Sequence, residues 1–155
     1  MEEHVGHSLD ILFAWALNTG YEQSKCISMG DPNDGFAQYF VGQSYLAPVL
    51  DAPEIAIHNV TFEPGCRNHW HIHHGGAQVL IAVGGRGYYQ IDGQEPKGLK
   101  AGQAVCIPAD TKHWHGAAPG EAFSHLAFMV PAGDPSAMSN EWLEPVDAVA
   151  YERLD

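Results

Sequence analysis

The chain has 155 residues and a formal charge of −12, from 19 acidic against 7 basic residues. That length suits one domain with its own core, and the charge excludes partners held through phosphates or anionic lipid headgroups, which need clustered Lys and Arg. With 17 glycines, 10 prolines and 10% aromatics, the composition is that of short strands joined by tight turns, an all-β pattern without nucleic-acid or membrane partners.

Residues 1–30 read as an N-terminal arm, an amphipathic start followed by the turn-rich YEQSKCISMGDPNDG. Its apolar run, LDILFAWAL (9–17), is interrupted by Asp10 and follows Glu2 and Glu3 rather than a basic stretch. It also falls short of the ~20 residues of a membrane span, so neither a signal peptide nor an anchor is expected. Cys26, Cys66 and Cys106 are odd in number, widely spaced and without a CxxC pair. No disulfide framework or zinc ribbon is encoded, and a cytoplasmic setting is expected.

From Phe36 the texture changes to apolar runs cut by turn signals. FAQYFVGQSYL (36–46) is aromatic and β-prone, and EIAIHNVTF (54–62) alternates so that Ala56, His58, Val60 and Phe62 share a face. Glu63-Pro64-Gly65 turns the chain into HWHIHH (69–74). In AQVLIAVGGRGYYQIDG (77–93), GGRG and IDGQ read as hairpin punctuation between β-rich pieces. AGQAVCIPAD (101–110) and EAFSHLAFMV (121–130) complete roughly seven or eight strands, which predicts a sandwich or barrel over residues 31–135. The tail, residues 136–155, breaks at Pro145-Val146-Asp147, with Asp147 as N-cap of a short last helix. It is expected as a surface appendage or a dimer-facing arm.

Four histidines in six positions carry the chemistry. On a strand, His69, His71 and His73 point one way and Trp70, Ile72 and His74 the other, so an H-x-H pair can converge on one cation. Gly75 and Gly76 permit a reversal, after which the amide oxygen of Gln78 can reach the same point. Further on, Gly102, Pro108, Asp110 and His113 bring another histidine in after a tight turn.

These two halves resemble the motifs of the cupin family, G-x5-HxH-x3,4-E-x6-G and G-x5-PxG-x2-H-x3-N. Gly65, His71, His73 and Gly85 meet the first, with Gln78 in the glutamate's place. Gly102, Pro108 and His113 meet the second, with Asp110 for the turn glycine and Ala117 for the last asparagine. The phrases FEPGCRNHWHIH, HWHGAAP and SHLAF are similar to the small cupins related to the manganese-dependent, cupin-type hydroxynitrile lyases and often grouped with the carboxymuconolactone decarboxylase-associated cupins. The likeness covers roughly residues 36–131. It implies a jelly-roll (double-stranded β-helix) barrel with one divalent transition metal held by His71, His73, Gln78 and His113, and His125 as general base. Manganese comes first, with iron, nickel, cobalt or zinc as alternatives.

Three imidazoles and an amide add no negative charge, so an ion bound there keeps its full charge as a Lewis acid. His125 shares a strand face with Phe123, Ala127 and Met129, an apolar lining that favours neutral imidazole. His58, on the face of Val60 and Phe62, is a second catalytic candidate entering the same cavity. His115 is expected to orient a ligand, His69 and His74 to sit at the mouth or surface, and Tyr39, Tyr45, Tyr88, Trp70 and Trp114 to pack in core or interface. The resulting expectation is a metal-dependent enzyme on a small hydroxy- or carbonyl-bearing substrate, with lyase chemistry of the hydroxynitrile type as the reaction the resemblance implies. An oxygen-using dioxygenase or oxidase at the same metal, and a non-catalytic small-molecule binding module, are the alternatives. A homodimer or larger homo-oligomer is expected, with the arm and the FAQYF edge covering an exposed sheet edge.

Overall fold

Turn formers at short intervals cut the chain into strands, and the computed structural model, which describes residues 27–154, joins twelve of them in one curled sheet. The N-terminal arm lies outside the described residues except for its last few, as does Cys26. In chain order the strands are β1 (Asp31–Pro32), β2 (Phe40–Val41), β3 (Ser44–Asp51), β4 (Ala56–Phe62), β5 (Arg67–Asn68), β6 (His71–His74) and β7 (Gly76–Ile91). They continue as β8 (Lys97–Lys100), β9 (Ala104–Ile107), β10 (His113–Ala117), β11 (Phe123–Pro131) and β12 (Ser139–Trp142), before one helix, α1 (Ala148–Glu152). The hydrogen-bonded order is β1-β3-β4-β11-β7-β10-β5-β2, with β6, β8, β9 and β12 paired off this path. The all-β barrel of jelly-roll type expected from the sequence is what forms.

One strand ties the two sides of the barrel together. GGRG was expected to turn, but β7 runs straight through it for 16 residues. Its first half pairs with β11 and β9, and its second half with β10 and β8. Gly85 makes the passage possible: its φ is +64°, and a Cβ there would lie 1.8 Å from the carbonyl oxygen of Ala122. The glycines that look like a hairpin therefore let a long strand bend from one side to the other.

FAQYF also departs from expectation. Asp34–Tyr39 is a 3-10 turn, and only Phe40 and Val41 enter the sheet. Asn33, Asp34 and Gly35 favour local turning, and the Phe36 N–H bonds back to the Asn33 carbonyl.

Inward-facing residues fill one end of the barrel. Phe62, Cys66, Leu80, Ala82, Leu99, Ala117 and Phe123 pack into a single buried cluster, in which each fully buried Leu or Phe stabilises the fold by about 1.5–3 kcal/mol.

The tail is no appendage. Trp114, on the outer face of β10, packs with Val146 and Tyr151. The Tyr151 hydroxyl donates to the Ala117 carbonyl (2.5 Å), and the Arg67 guanidinium sits 4.1 Å above the Tyr151 ring. Asp147 caps α1 as expected, accepting from the Ala150 N–H (2.7 Å). Ahead of the helix, β12 adds to β6, placing Asn140 opposite His73 and Trp142 opposite His71. Val146 and Tyr151 are the buried anchors of a tail that is otherwise largely exposed.

Candidate metal centre

Alternation along β6 turns His71 and His73 inward, where both are buried, and leaves His74 half-exposed on the other face. His69 lies just before this strand rather than on it, its N–H bonded to the Tyr39 carbonyl (2.9 Å). His113 begins β10 and stands opposite His71 in the antiparallel register. Asp110 enables that entry: it adopts φ +60°, which Asp tolerates better than most residues, and donates its N–H to the His73 carbonyl (2.9 Å). The ring centroids of His71 lie 4.9 Å from those of His73 and 4.3 Å from those of His113, and His73 and His113 are 5.4 Å apart. Gln78 reaches the same place from the inner face of β7.

The ring protons are assigned by the partners. His71 Nδ1 donates to the His69 carbonyl (2.8 Å), His113 Nδ1 to the Thr111 carbonyl (2.8 Å) and His73 Nδ1 to the side-chain oxygen of Asn140 (2.6 Å). Because each acceptor is an oxygen without a proton, every Nε2 keeps a free lone pair. His73 Nε2 is buried with no hydrogen-bond partner among the described residues. His113 Nε2 lies 3.0 Å from Gln78 Oε1, so two acceptors face each other. A cation between these atoms satisfies all of them, and the residues present therefore fit a metal.

Burial keeps the rings neutral. It pushes His71 well below its ordinary 6.5, lowers His73, and lowers His113 to about 4. Neutral imidazole is the form that binds a metal.

His115 adjoins this group. His71, His113 and His115 form a three-histidine cluster whose ligand atoms lie within 4.8 Å of one another. Asn68 occupies His115, however: its Oδ1 accepts from the His115 backbone N–H (2.9 Å) and its Nδ2 donates to His115 Nε2 (3.0 Å). The lone pair that could bind an ion is already engaged, and the remaining ring proton is on Nδ1.

A cavity of about 530 Å³ opens onto the centre. Phe40, Leu46, Val60, Phe62 and Trp142 give it largely apolar walls, and His71, His73, Gln78 and His115 are among its polar lining. His58 joins this lining, as the alternation of β4 predicts. His125 does not. It is fully buried behind the cavity wall, against the rings of Phe62 (5.3 Å), Phe123 (4.9 Å) and His115 (5.0 Å). Neither of its nitrogens has a partner among the described residues, and burial lowers it to about 3.

Three contributors escaped the sequence reading: Asn68, Asn140 and Trp142. The alternation of SNEW, which turns Asn140 and Trp142 to one side, was the available signal, but nothing local says which strand it joins. Trp142 stacks on Tyr39 at 4.5 Å and lies 4.8 Å from the His71 ring.

The Cupin domain family model matches residues 58–131. An (R)-mandelonitrile lyase from Granulicella tundricola is 38% identical over 122 residues, covering 77% of this chain and 90% of that protein. A cupin-like protein from Thermotoga maritima has 32% identity and a TM-score of 0.73, over 83% of this chain and 95% of that one. The DMSP lyase DddQ from Ruegeria pomeroyi has the fold at 18% identity and a TM-score of 0.55, over 73% of this chain and 56% of that one. With its barrel, inward histidines and a relative alike over nine-tenths of that relative's length, the chain belongs to the cupin family.

Proposed function

We propose that this cupin is a metal-dependent lyase that breaks a carbon–carbon bond beside a hydroxyl, as in cleavage of a cyanohydrin to a carbonyl compound and cyanide. One observation carries the reading: the Nε2 atoms of His71, His73 and His113 gather with Gln78 Oε1 beside a largely apolar cavity that His71, His73 and Gln78 line. The name of the Granulicella relative supports it.

His71, His73, Gln78 and His113 would hold the ion, and they add no negative charge to it. When bound, a divalent transition metal, manganese first and iron, nickel, cobalt or zinc otherwise, supplies Lewis acidity toward the substrate oxygen. His58, on the cavity wall, accepts the hydroxyl proton; the bond to the nitrile carbon breaks, its electron pair leaves with cyanide, and the same proton then neutralises the cyanide. Phe40, Leu46, Phe62 and Trp142 exclude water and receive the substrate's apolar part. His125 does not line the cavity and packs behind two residues that do, Phe62 and His115.

The test is cyanohydrin cleavage, with mandelonitrile in the panel, by protein purified without nickel resin and loaded with Mn2+, in air and without oxygen. Equal turnover in both is expected. Turnover that requires oxygen would favour a dioxygenase, and tight binding without product a binding module.

A further inference from the structure

Resting on that reading, we propose that Asn140, in the C-terminal tail, is a positioning residue for the metal: its side-chain oxygen fixes the ring of His73 so that Nε2 faces the ion. Two of the three histidines are oriented by the main chain, His71 by the His69 carbonyl and His113 by the Thr111 carbonyl, both at 2.8 Å and both two residues away. No side-chain substitution removes those contacts. His73 has no such support. Its Nδ1 donates to Asn140 Oδ1 at 2.6 Å, across 67 residues of sequence.

The tail strand makes this contact reliable. β12 pairs with β6 over four residues in register, Asn140 directly opposite His73 and Trp142 opposite His71. Asn140 also lines the cavity, so the contact lies at the wall of the site. An amide oxygen orients the ring without adding charge. A carboxylate in its place would accept the same proton more strongly and make Nε2 a better donor to the ion.

The experiment measures the affinities of the full chain and its variants for Mn2+ and Zn2+ by chelator competition, with the melting temperature of the metal-free proteins as a folding check. Asn140→Leu should weaken binding of both ions about 10–100-fold, and Asn140→Asp should bind at least as tightly as the unaltered chain. In the Mn2+ forms, electron spin-echo spectra should show one nitrogen coupling weakened in Asn140→Leu and restored in Asn140→Asp. Affinities unchanged in a folded Asn140→Leu protein would overturn the proposal. Should that variant not fold, weaker binding by Asn140→Asp would overturn it instead. If the unaltered chain binds neither ion, the metal reading fails first and this inference with it; if it binds and the variants match it, only this inference fails.

Discussion

Oε1 of Gln78 lies 3.0 Å from Nε2 of His113, while the other nitrogen of that ring lies 2.8 Å from the Thr111 carbonyl, so a neutral ring has one proton for two oxygen acceptors. On the proposed reading the pair would be two donors to one cation, and the neutrality of Gln78 would leave that cation electron-poor. Gln78→Glu would place a formal negative charge on it. The variant is expected to bind Mn2+ more tightly than the parent and to turn over more slowly, roughly tenfold or more for a charge this close to the ion. Affinity from chelator competition and kcat from the cyanohydrin assay check both halves; faster turnover with Glu would contradict the Lewis-acid role.

His58 and His125 separate by location. His58→Ala, at the cavity wall, is expected to keep the metal and the melting temperature while losing about 10²–10⁴ in rate, the usual worth of a general base. His125 is sealed among Phe62, Phe123 and His115. Replacing it by Leu removes two buried polar atoms without partners among the described residues, each of which costs about 1–3 kcal/mol when unpaired. His125→Leu should therefore melt no lower than the parent at pH 7 and lose less rate than His58→Ala. Scanning calorimetry and kcat decide; the reverse order of rates would make His125 the base, acting through His115.

Stability should follow pH with a definite sign. Burial lowers His113 to about 4 and His125 to about 3, and also lowers His71, His73 and His115. In the unfolded chain these rings take up protons near their ordinary 6.5, whereas the folded, metal-free protein resists until lower pH. The unfolded state thus binds more protons between pH 6.5 and about 4, and stability falls as pH drops through that window, by about 1.4 kcal/mol per pH unit for each of His113 and His125. His74 works the other way. The hydrogen bonds it donates to Glu141 and Asp110 raise it, so its contribution is present at low pH and lost as pH rises, but solvent screens this exposed group. Urea midpoints of the metal-free protein should decline steadily from pH 7 to pH 5; a flat profile would mean that the rings are not buried neutral.

Gly85 tests the bend of β7. Alanine there would meet the Ala122 carbonyl at 1.8 Å in a backbone conformation that L residues rarely adopt. Gly85→Ala is expected to cost more than about 3 kcal/mol, from strain and clash together. Gly93→Ala provides the control, with a similar φ of +78° and nothing within 4 Å. Chemical denaturation of both compares clash with backbone strain alone; equal losses would mean that Gly85 is needed only for its φ.

Much of this was legible in the sequence because the signals are local. Alternation along β4 put His58 in the cavity, and H-x-H put His71 and His73 on one face. Asp110 in the turn position marked the left-handed residue that admits His113. What was not legible depends on pairing at long range. GGRG reads as a hairpin until β11 and β10 are known to take its two flanks, and Asn140 reads as tail until β12 is placed on β6. His125 shows the same limit: its strand face was inferred, but the depth at which Phe62 and His115 close over it comes from the curvature of the whole barrel.

Anomalous diffraction at the manganese edge, from crystals of protein loaded with Mn2+, tests the account most directly. A single peak is expected within about 2.0–2.3 Å of Nε2 of His71, His73 and His113 and of Oε1 of Gln78. No peak in the cavity, or one held by His115 with His73 turned away, would contradict it.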